Sequence, residues 1–128
     1  MSKALVVDDS RTIRTIIRRI LIDLGYEVCE AGNGVEALKL LEIEKSTVKL
    51  ILADWNMPEM DGFELLKRLR QNPEFDLVKI LMVTTETEMS QMTSAMEAGA
   101  NEYVMKPFTK DILLEKLQLV GMPPLARV

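Results

Sequence analysis

The stretch Ala4-Leu5-Val6-Val7-Asp8-Asp9 decides the fold. An unbroken apolar run with no polar alternation describes a strand buried on both faces, and the two carboxylates mark where the chain leaves the core. Directly downstream, Ile13, Ile16, Ile17, Ile20, Leu21 and Leu24 recur at helical spacing, Arg11, Arg14, Arg18 and Arg19 fall mostly off that stripe, and Gly25 supplies the stop. The opening of the chain thus reads as one strand–helix unit.

The same unit recurs along the sequence. Tyr26 to Ala31 reads as a short second strand, and Gly32-Asn33-Gly34 punctuates it. Asn33 with Glu36 forms a capping pair ahead of a helix bearing Val35, Leu38 and Leu41. Leu50-Ile51-Leu52-Ala53 is a third strand, followed by a loop with Pro58 and a helix from about Gly62 to Arg70 carrying Phe63, Leu66 and Leu69. Ile80-Leu81-Met82-Val83 is a fourth strand, and the helix after it bears Met89, Met92 and Met96. Tyr103-Val104-Met105 is the fifth, and Thr109 caps a last helix with Ile112, Leu113, Leu117 and Val120. Gly121-Met122-Pro123-Pro124 ends it. The expected fold is α/β, a (βα)5 doubly wound parallel sheet of five strands with helices on both faces. One domain over residues 1–121 and a short C-terminal tail over 122–128 account for the chain.

Composition narrows the chemistry. The chain has 128 residues, one Cys and no His. Its length permits one hydrophobic core, burying about 65–70% of the unfolded surface. Without His there is no Ser-His-Asp or Cys-His triad, no His-ligated zinc or haem, and no internal phosphohistidine. A single Cys excludes an internal disulfide framework and fits a reducing compartment. A net charge of −4 argues against nucleic-acid binding as the main activity. No apolar run approaches the roughly 18 residues of a membrane-spanning helix, and the four-residue run at the start is too short for a secretion signal, so a cytoplasmic location and no membrane partner are expected.

In an open parallel sheet, ligands bind beyond the carboxyl ends of the strands, near the point where strand order reverses. Asp8-Asp9 follow the first strand, Asp54 the third, Thr84-Thr85 the fourth and Lys106-Pro107 the fifth. Three acids, a hydroxyl and an amine therefore converge on one sheet edge. Two carboxylates about 5 Å apart repel by about 3 kcal/mol at an effective dielectric near 20, so three together resist full ionisation. Mg2+ relieves that repulsion and prefers oxygen ligands. Three carboxylates and one ammonium sum to −2, which such a cation balances. A site so balanced suits transfer of a phosphoryl group onto an Asp.

These motifs, Asp8-Asp9-Ser10, Asp54-Trp55-Asn56-Met57-Pro58-Glu59-Met60-Asp61-Gly62, Thr84-Thr85 and Lys106-Pro107-Phe108, resemble those of the receiver domain of two-component response regulators, in particular stand-alone chemotaxis receivers. The resemblance runs from about Lys3 to Val120 and implies a flavodoxin-like strand order of 2-1-3-4-5. It further implies that Asp54 is the phosphoacceptor and that Mg2+ is held by Asp9, by Asp8 mainly through water, by Asp54 and by the backbone carbonyl of Asn56. Lys106 would pair with the phosphoryl group and Asp54, Thr84 would bring its hydroxyl onto the phosphoryl oxygens, and Tyr103 would swing inward behind it. Asn56, Thr85 and Glu86 would set reaction rates, and the Lys106–Pro107 bond would be cis. Thr85 departs from the family, which usually carries a small residue after the switch Thr, and would narrow access to Asp54. The implied partners are a histidine kinase as phosphodonor, a flagellar motor switch protein and a phosphatase, with the chain a monomer or a phosphorylation-dependent dimer. The domain would be a signalling module and not an enzyme beyond its own phosphorylation and dephosphorylation.

Other readings stand beside this one. The chain would be the receiver of a longer regulator if Pro123-Pro124 begins a linker. A Mg2+-dependent phosphatase with an Asp nucleophile would need a second Asp two residues on, where Asn56 stands; an FMN binder would need a hydroxyl-rich phosphate loop where Asp8 and Asp9 stand. Taken alone, Asp8-Asp9 reads as a strand end with a helix cap, Cys29 as a small buried hydrophobe, the Met stripe as core or as an adaptable partner surface, and the Arg-rich face of the first helix as solvated.

Overall fold

The computed structural model describes residues 2–44, 47–85 and 90–122. The strands are β1 (Lys3–Val7), β2 (Glu27–Ala31), β3 (Val48–Asp54), β4 (Lys79–Thr84) and β5 (Glu102–Met105). The helices are α1 (Arg11–Asp23), α2 (Gly34–Glu44), α3 (Gly62–Arg70), α4 (Met92–Glu97) and α5 (Lys110–Leu119), with a 3-10 turn over Pro73–Phe75. All strand pairs are parallel and the sheet order is β2-β1-β3-β4-β5. Strand order reverses between β1 and β3, which places the crevice expected for a ligand between their carboxyl ends.

The continuous apolar runs are explained by two core layers. Leu5, Val7, Ile51 and Ala53 face a layer completed by Ala37 and Leu41 of α2, Leu65, Leu66 and Leu69 of α3, and Met92 and Ala95 of α4. Ala4, Val6, Leu50 and Leu52 face the opposite layer, closed by Ile17 and Leu21 of α1 and Leu113 and Leu117 of α5. Alternate residues of one strand therefore enter different layers, and every position must be apolar.

The helix ends are set by short side chains. Ser10 Oγ accepts from the Ile13 N–H at 3.2 Å, Asp61 from Glu64 N–H at 2.8 Å and Thr109 from Ile112 N–H at 3.2 Å. Asn33 accepts from Glu36 N–H at 2.9 Å while the Glu36 carboxylate accepts from Gly32 N–H at 2.9 Å, a reciprocal cap as the sequence predicts. Gly25 follows α1 with φ +99, a conformation that favours glycine.

Three stripe positions differ from the periodic reading. Ile16, Met96 and Ile112 are 51%, 41% and 43% exposed, because a helix lying on a sheet buries a face narrower than the full apolar stripe. β1, β3, β4 and β5 extend one or two residues past an end of their apolar runs, so Asp54 and Thr84 are the last residues of β3 and β4 rather than loop residues, whereas β2 begins at Glu27, one residue after Tyr26. Met89, Pro123 and Pro124 lie outside the described residues.

Candidate functional site

β1 ends at Val7, and the next residue, Asp8, is held in line by its N–H donating to Ala31 O at 3.1 Å. Its carboxylate turns back to accept from Ser10 N–H at 2.8 Å, so the β1–α1 turn is organised around it. Register sets Val7 beside Ala53, and thereby Asp8 close to Asp54. Oxygens of Asp8, Asp9 and Asp54 lie within 4.8 Å of one another, with Asp8 and Asp54 buried and Asp9 exposed. Two acids from the core and one from the surface form a cup open to solvent on the Asp9 side. Oxygen donors alone, so crowded, fit a hard divalent cation.

Lys106 enters from the turn after β5. Its Nζ lies 3.0 Å from Asp54 Oδ1 and 3.2 Å from Asp8 Oδ2, bridging the two buried acids. The Lys106–Pro107 peptide bond is cis. Burial pushes the Asp54 carboxyl from its ordinary 3.8 up to about 6; the Lys106 ammonium pulls it down, and Asp8 and Asp9 push it further up. Burial alone would lower Lys106, but Asp54 and Asp8 outweigh it and the ammonium is held above its usual range. One ammonium among three carboxylates leaves the cup short of positive charge.

The loop from β3 to α3 closes against the back of Asp54. Gly62 donates its N–H to Trp55 O at 2.9 Å, and a Cβ on Gly62 would stand 2.2 Å from the Asp54 carbonyl oxygen. No other residue type fits there. Glu59 at φ +66 centres a tight turn in which Met60 N–H donates to Pro58 O at 2.7 Å. Met60 then folds onto the first turn of α2, where a Cβ on Gly34 would meet its sulfur at 2.8 Å. Trp55 is buried and stacks on Phe63 with ring centres 5.3 Å apart, and Lys67 Nζ sits 4.8 Å over the Phe63 ring.

The remaining residues singled out by sequence are spread over the same end of the sheet. Thr84 is fully buried, and its hydroxyl donates to Thr85 O at 3.1 Å. Asn56 is exposed in the loop after Asp54, and Thr85 is half-buried just past β4. Tyr103 is half-buried on β5; Lys116 Nζ lies 4.3 Å over its ring and 3.6 Å from Glu102. Glu86 lies outside the described residues. The structure thus brings together Asp8, Asp9, Asp54 and Lys106. Cys29 is half-buried and donates to Ala4 O at 3.6 Å, and burial raises its thiol, which agrees with a packing role.

From sequence, Gly62 reads only as the start of a helix, Arg14 as part of a solvated face, and Arg70 is not singled out; the structure instead covers the Arg14 side chain, which is 18% exposed and donates to Asp8 O. For Gly62 the signal was its position at the first turn of a helix returning under a strand end. For Arg14 it was an arginine one turn into the helix after an acid pair, on the edge between the buried and solvated faces.

Comparison with known proteins places this geometry. The family model for the response regulator receiver domain matches residues 4–118. The chain is 48% identical over 119 residues to the chemotaxis protein CheY1 of Helicobacter pylori, covering 92% of this chain and 95% of that one. It is also 48% identical over 117 residues to a chemotaxis protein CheY homolog of Campylobacter jejuni, covering 91% and 89%. Among solved structures, the chemotaxis protein CheY4 of Vibrio cholerae superposes with a TM-score of 0.84 at 41% identity, covering 94% of this chain and 98% of that one. No helix among the described residues is long and apolar enough to cross a membrane.

Proposed function

Since the chain belongs to the response regulator receiver domain family, we propose that it accepts a phosphoryl group on Asp54 from the phosphohistidine of a histidine kinase and thereby switches a protein-binding surface in chemotaxis. The observation that carries this is Lys106 spanning Asp54 and Asp8 inside a cluster of three carboxylates. Such a cluster has a buried nucleophile, a fixed positive charge and unused oxygen ligands.

Asp8, Asp9, Asp54 and the Asn56 carbonyl would hold Mg2+. The cation supplies charge neutralisation to the acids and to the phosphoryl oxygens. Asp54, at about 6, is ionised at neutral pH yet more basic than an ordinary aspartate. An Asp54 carboxylate oxygen attacks phosphorus, the P–N bond to the kinase histidine breaks, and the imidazole leaves carrying the electron pair. Lys106 keeps its proton throughout and offers it to a phosphoryl oxygen, exchanging part of its pairing with Asp54. Hydrolysis of the resulting aspartyl phosphate returns the starting state, at a rate set by Asn56, Thr85 and Glu86. The only chemistry is this self-limited cycle, as befits a signalling domain.

Thr84 and Tyr103 are the switch. A phosphoryl group on Asp54 gives the Thr84 hydroxyl a stronger acceptor than Thr85 O, and vacating its present position makes room for Tyr103 to move inward from beneath Lys116. The surface of α4, β5 and α5 changes shape as a result. Its readers would be a flagellar motor switch protein and a phosphatase, or a second copy of the chain. One receiver unit over residues 1–121, working in the cytoplasm, is sufficient for this role.

The test is labelling with a small phosphodonor, acetyl phosphate or phosphoramidate, in the presence of Mg2+. Wild type is expected to acquire an acid-stable, base-labile phosphoryl group that Asp54→Asn lacks; equal labelling of the two would overturn the assignment. EDTA is expected to abolish labelling.

A further inference from the structure

Arg14 lies on α1 outside the cup, but its guanidinium reaches the main chain that carries the acid pair. Nη1 donates to the Asp8 carbonyl oxygen at 2.6 Å, and Nε donates to Glu30 Oε1 at 3.0 Å. Arg18 reinforces the same carboxylate from one turn further along, at 3.3 Å. The Arg14 side chain is largely covered, at 18% exposure, and its Nη1 passes 3.7 Å from the point where a Cβ on Gly32 would stand. It therefore occupies a fixed channel between α1 and the end of β2.

The Asp8 carbonyl belongs to the peptide group joining Asp8 to Asp9. With Asp8 N–H given to Ala31 O at 3.1 Å on one side and this carbonyl bonded to Arg14 on the other, the planes of both peptides flanking Asp8 are fixed. The orientation of that second peptide determines the direction in which Asp9 leaves the main chain. Asp8 has its own restraint in Ser10 N–H; Asp9 is exposed, and no side-chain hydrogen bond among the described residues holds it. Glu30 neutralises the guanidinium, so Arg14 acts on the cup through geometry and little through charge.

From this arrangement we propose that Arg14, steadied by Glu30, is a positioning residue that presents Asp9 to the divalent cation. It rests on the reading of Asp8, Asp9 and Asp54 as a cation site. Groups that orient metal ligands from outside commonly cost ten- to a hundredfold in affinity when removed. Lysine at this position retains one donor for the Asp8 carbonyl but loses the fork that also engages Glu30.

Isothermal titration of the apo protein with Mg2+ decides it, alongside urea unfolding of each variant. Arg14→Met is expected to weaken Mg2+ affinity about tenfold, Arg14→Lys to recover part of the loss, and Glu30→Gln, which keeps the acceptor oxygen, to stay within about twofold of wild type. Arg19→Met, on the exposed face of the same helix, serves as the control and is expected to bind as wild type. Arg14→Met and Arg14→Lys both binding Mg2+ like wild type would overturn the assignment while leaving the cation site intact. A loss in Glu30→Gln as large as in Arg14→Met would show that charge and not orientation is at work, and would overturn it too. Wild type failing to bind Mg2+ would remove the cation site itself, and the role of Arg14 with it. Should Arg14→Met not fold, Arg14→Lys still carries the test, since loss of affinity without loss of stability is expected there.

Discussion

Arg70 and Lys106 are both half-buried cations, set at opposite ends of the sheet and treated in opposite ways. Arg70, at the end of α3, donates to Gly99 O at 3.0 Å, Phe75 O at 2.7 Å, Val78 O at 2.8 Å and Asn101 Oδ1 at 2.8 Å. Its hydrogen-bond partners are neutral oxygens, and burial lowers its pKa, with Asp76 opposing. Asn101 Oδ1 also takes Ile80 N–H at 2.8 Å, so one guanidinium ties α3, the 3-10 turn, β4 and the turn before β5 into one unit. Lys106 bridges carboxylates, and those carboxylates raise it. A clamp on neutral amide oxygens offers the same partners at any pH. A lysine between titratable, cation-binding and phosphate-accepting groups sits among partners that all change. The amino end of the sheet is the anchor, and the carboxyl end is the part built to respond.

The strongest way to break this contrast is Arg70→Met. It keeps the aliphatic stem but leaves buried carbonyls without a donor, and is expected to cost about 3–4 kcal/mol in urea unfolding. Phosphorylation of the folded protein by a small donor is expected to stay within about twofold of wild type. A stability loss under about 1 kcal/mol would mean that Arg70 is no anchor.

Gly62→Ala attacks the responsive end through its backbone. The added methyl meets the Asp54 carbonyl at 2.2 Å, so the β3–α3 loop must shift at a cost of about 2–3 kcal/mol, with Mg2+ affinity falling as well. Gly121→Ala makes the fair comparison, since nothing lies within 4 Å and only its φ of +83 is unfavourable; a loss of about 1 kcal/mol is expected. Equal losses in the two variants would remove the special status of Gly62.

The subtlest effect is electrostatic. Asp54 holds its proton more tightly when folded, at about 6, than its ordinary 3.8, so in the metal-free protein the folded state binds more protons between those values. Its contribution to stability is complete below about 3.8 and is lost as pH rises through about 6. Asp54→Asn removes the dependence and is expected to stabilise the metal-free protein by about 2–3 kcal/mol at pH 7.5, with the gain vanishing near pH 4. Urea unfolding of both proteins in EDTA at the two pH values measures it. A difference that does not change with pH would show that neither burial nor its acidic neighbours raise Asp54.

Much of this organisation was legible in the chain. Strands buried on both faces write themselves as unbroken apolar runs, so Ala4–Val7 and Ile80–Val83 needed no tertiary information. Asp8, Asp9, Asp54 and Lys106 were legible for a related reason: a charged residue directly after such a run has only the strand end to occupy. Ile16 and Ile112 were less so, because periodicity gives the direction of a helix face but not the width of what covers it. Arg14 and Arg70 were hidden for a deeper reason. Their hydrogen-bond acceptors include main-chain carbonyls, which every residue has and which no residue type announces. Gly62 was hidden in the same way, its reason for being glycine lying in another segment's backbone.

The parallel sheet carries a consequence in time as well as in space. No two neighbouring strands are joined by a tight turn; Lys3 pairs with Glu27 on one side and Val48 on the other. Each strand must wait for a helix-length crossover before it finds its neighbour, and such non-local pairing is the slow part of folding. Asp8 and Asp54 approach one another only when β1 meets β3, across the longer of those two separations. The repulsion that later makes the cup useful therefore enters as a resistance to one identifiable assembly event, after the individual strand–helix units have had every opportunity to form.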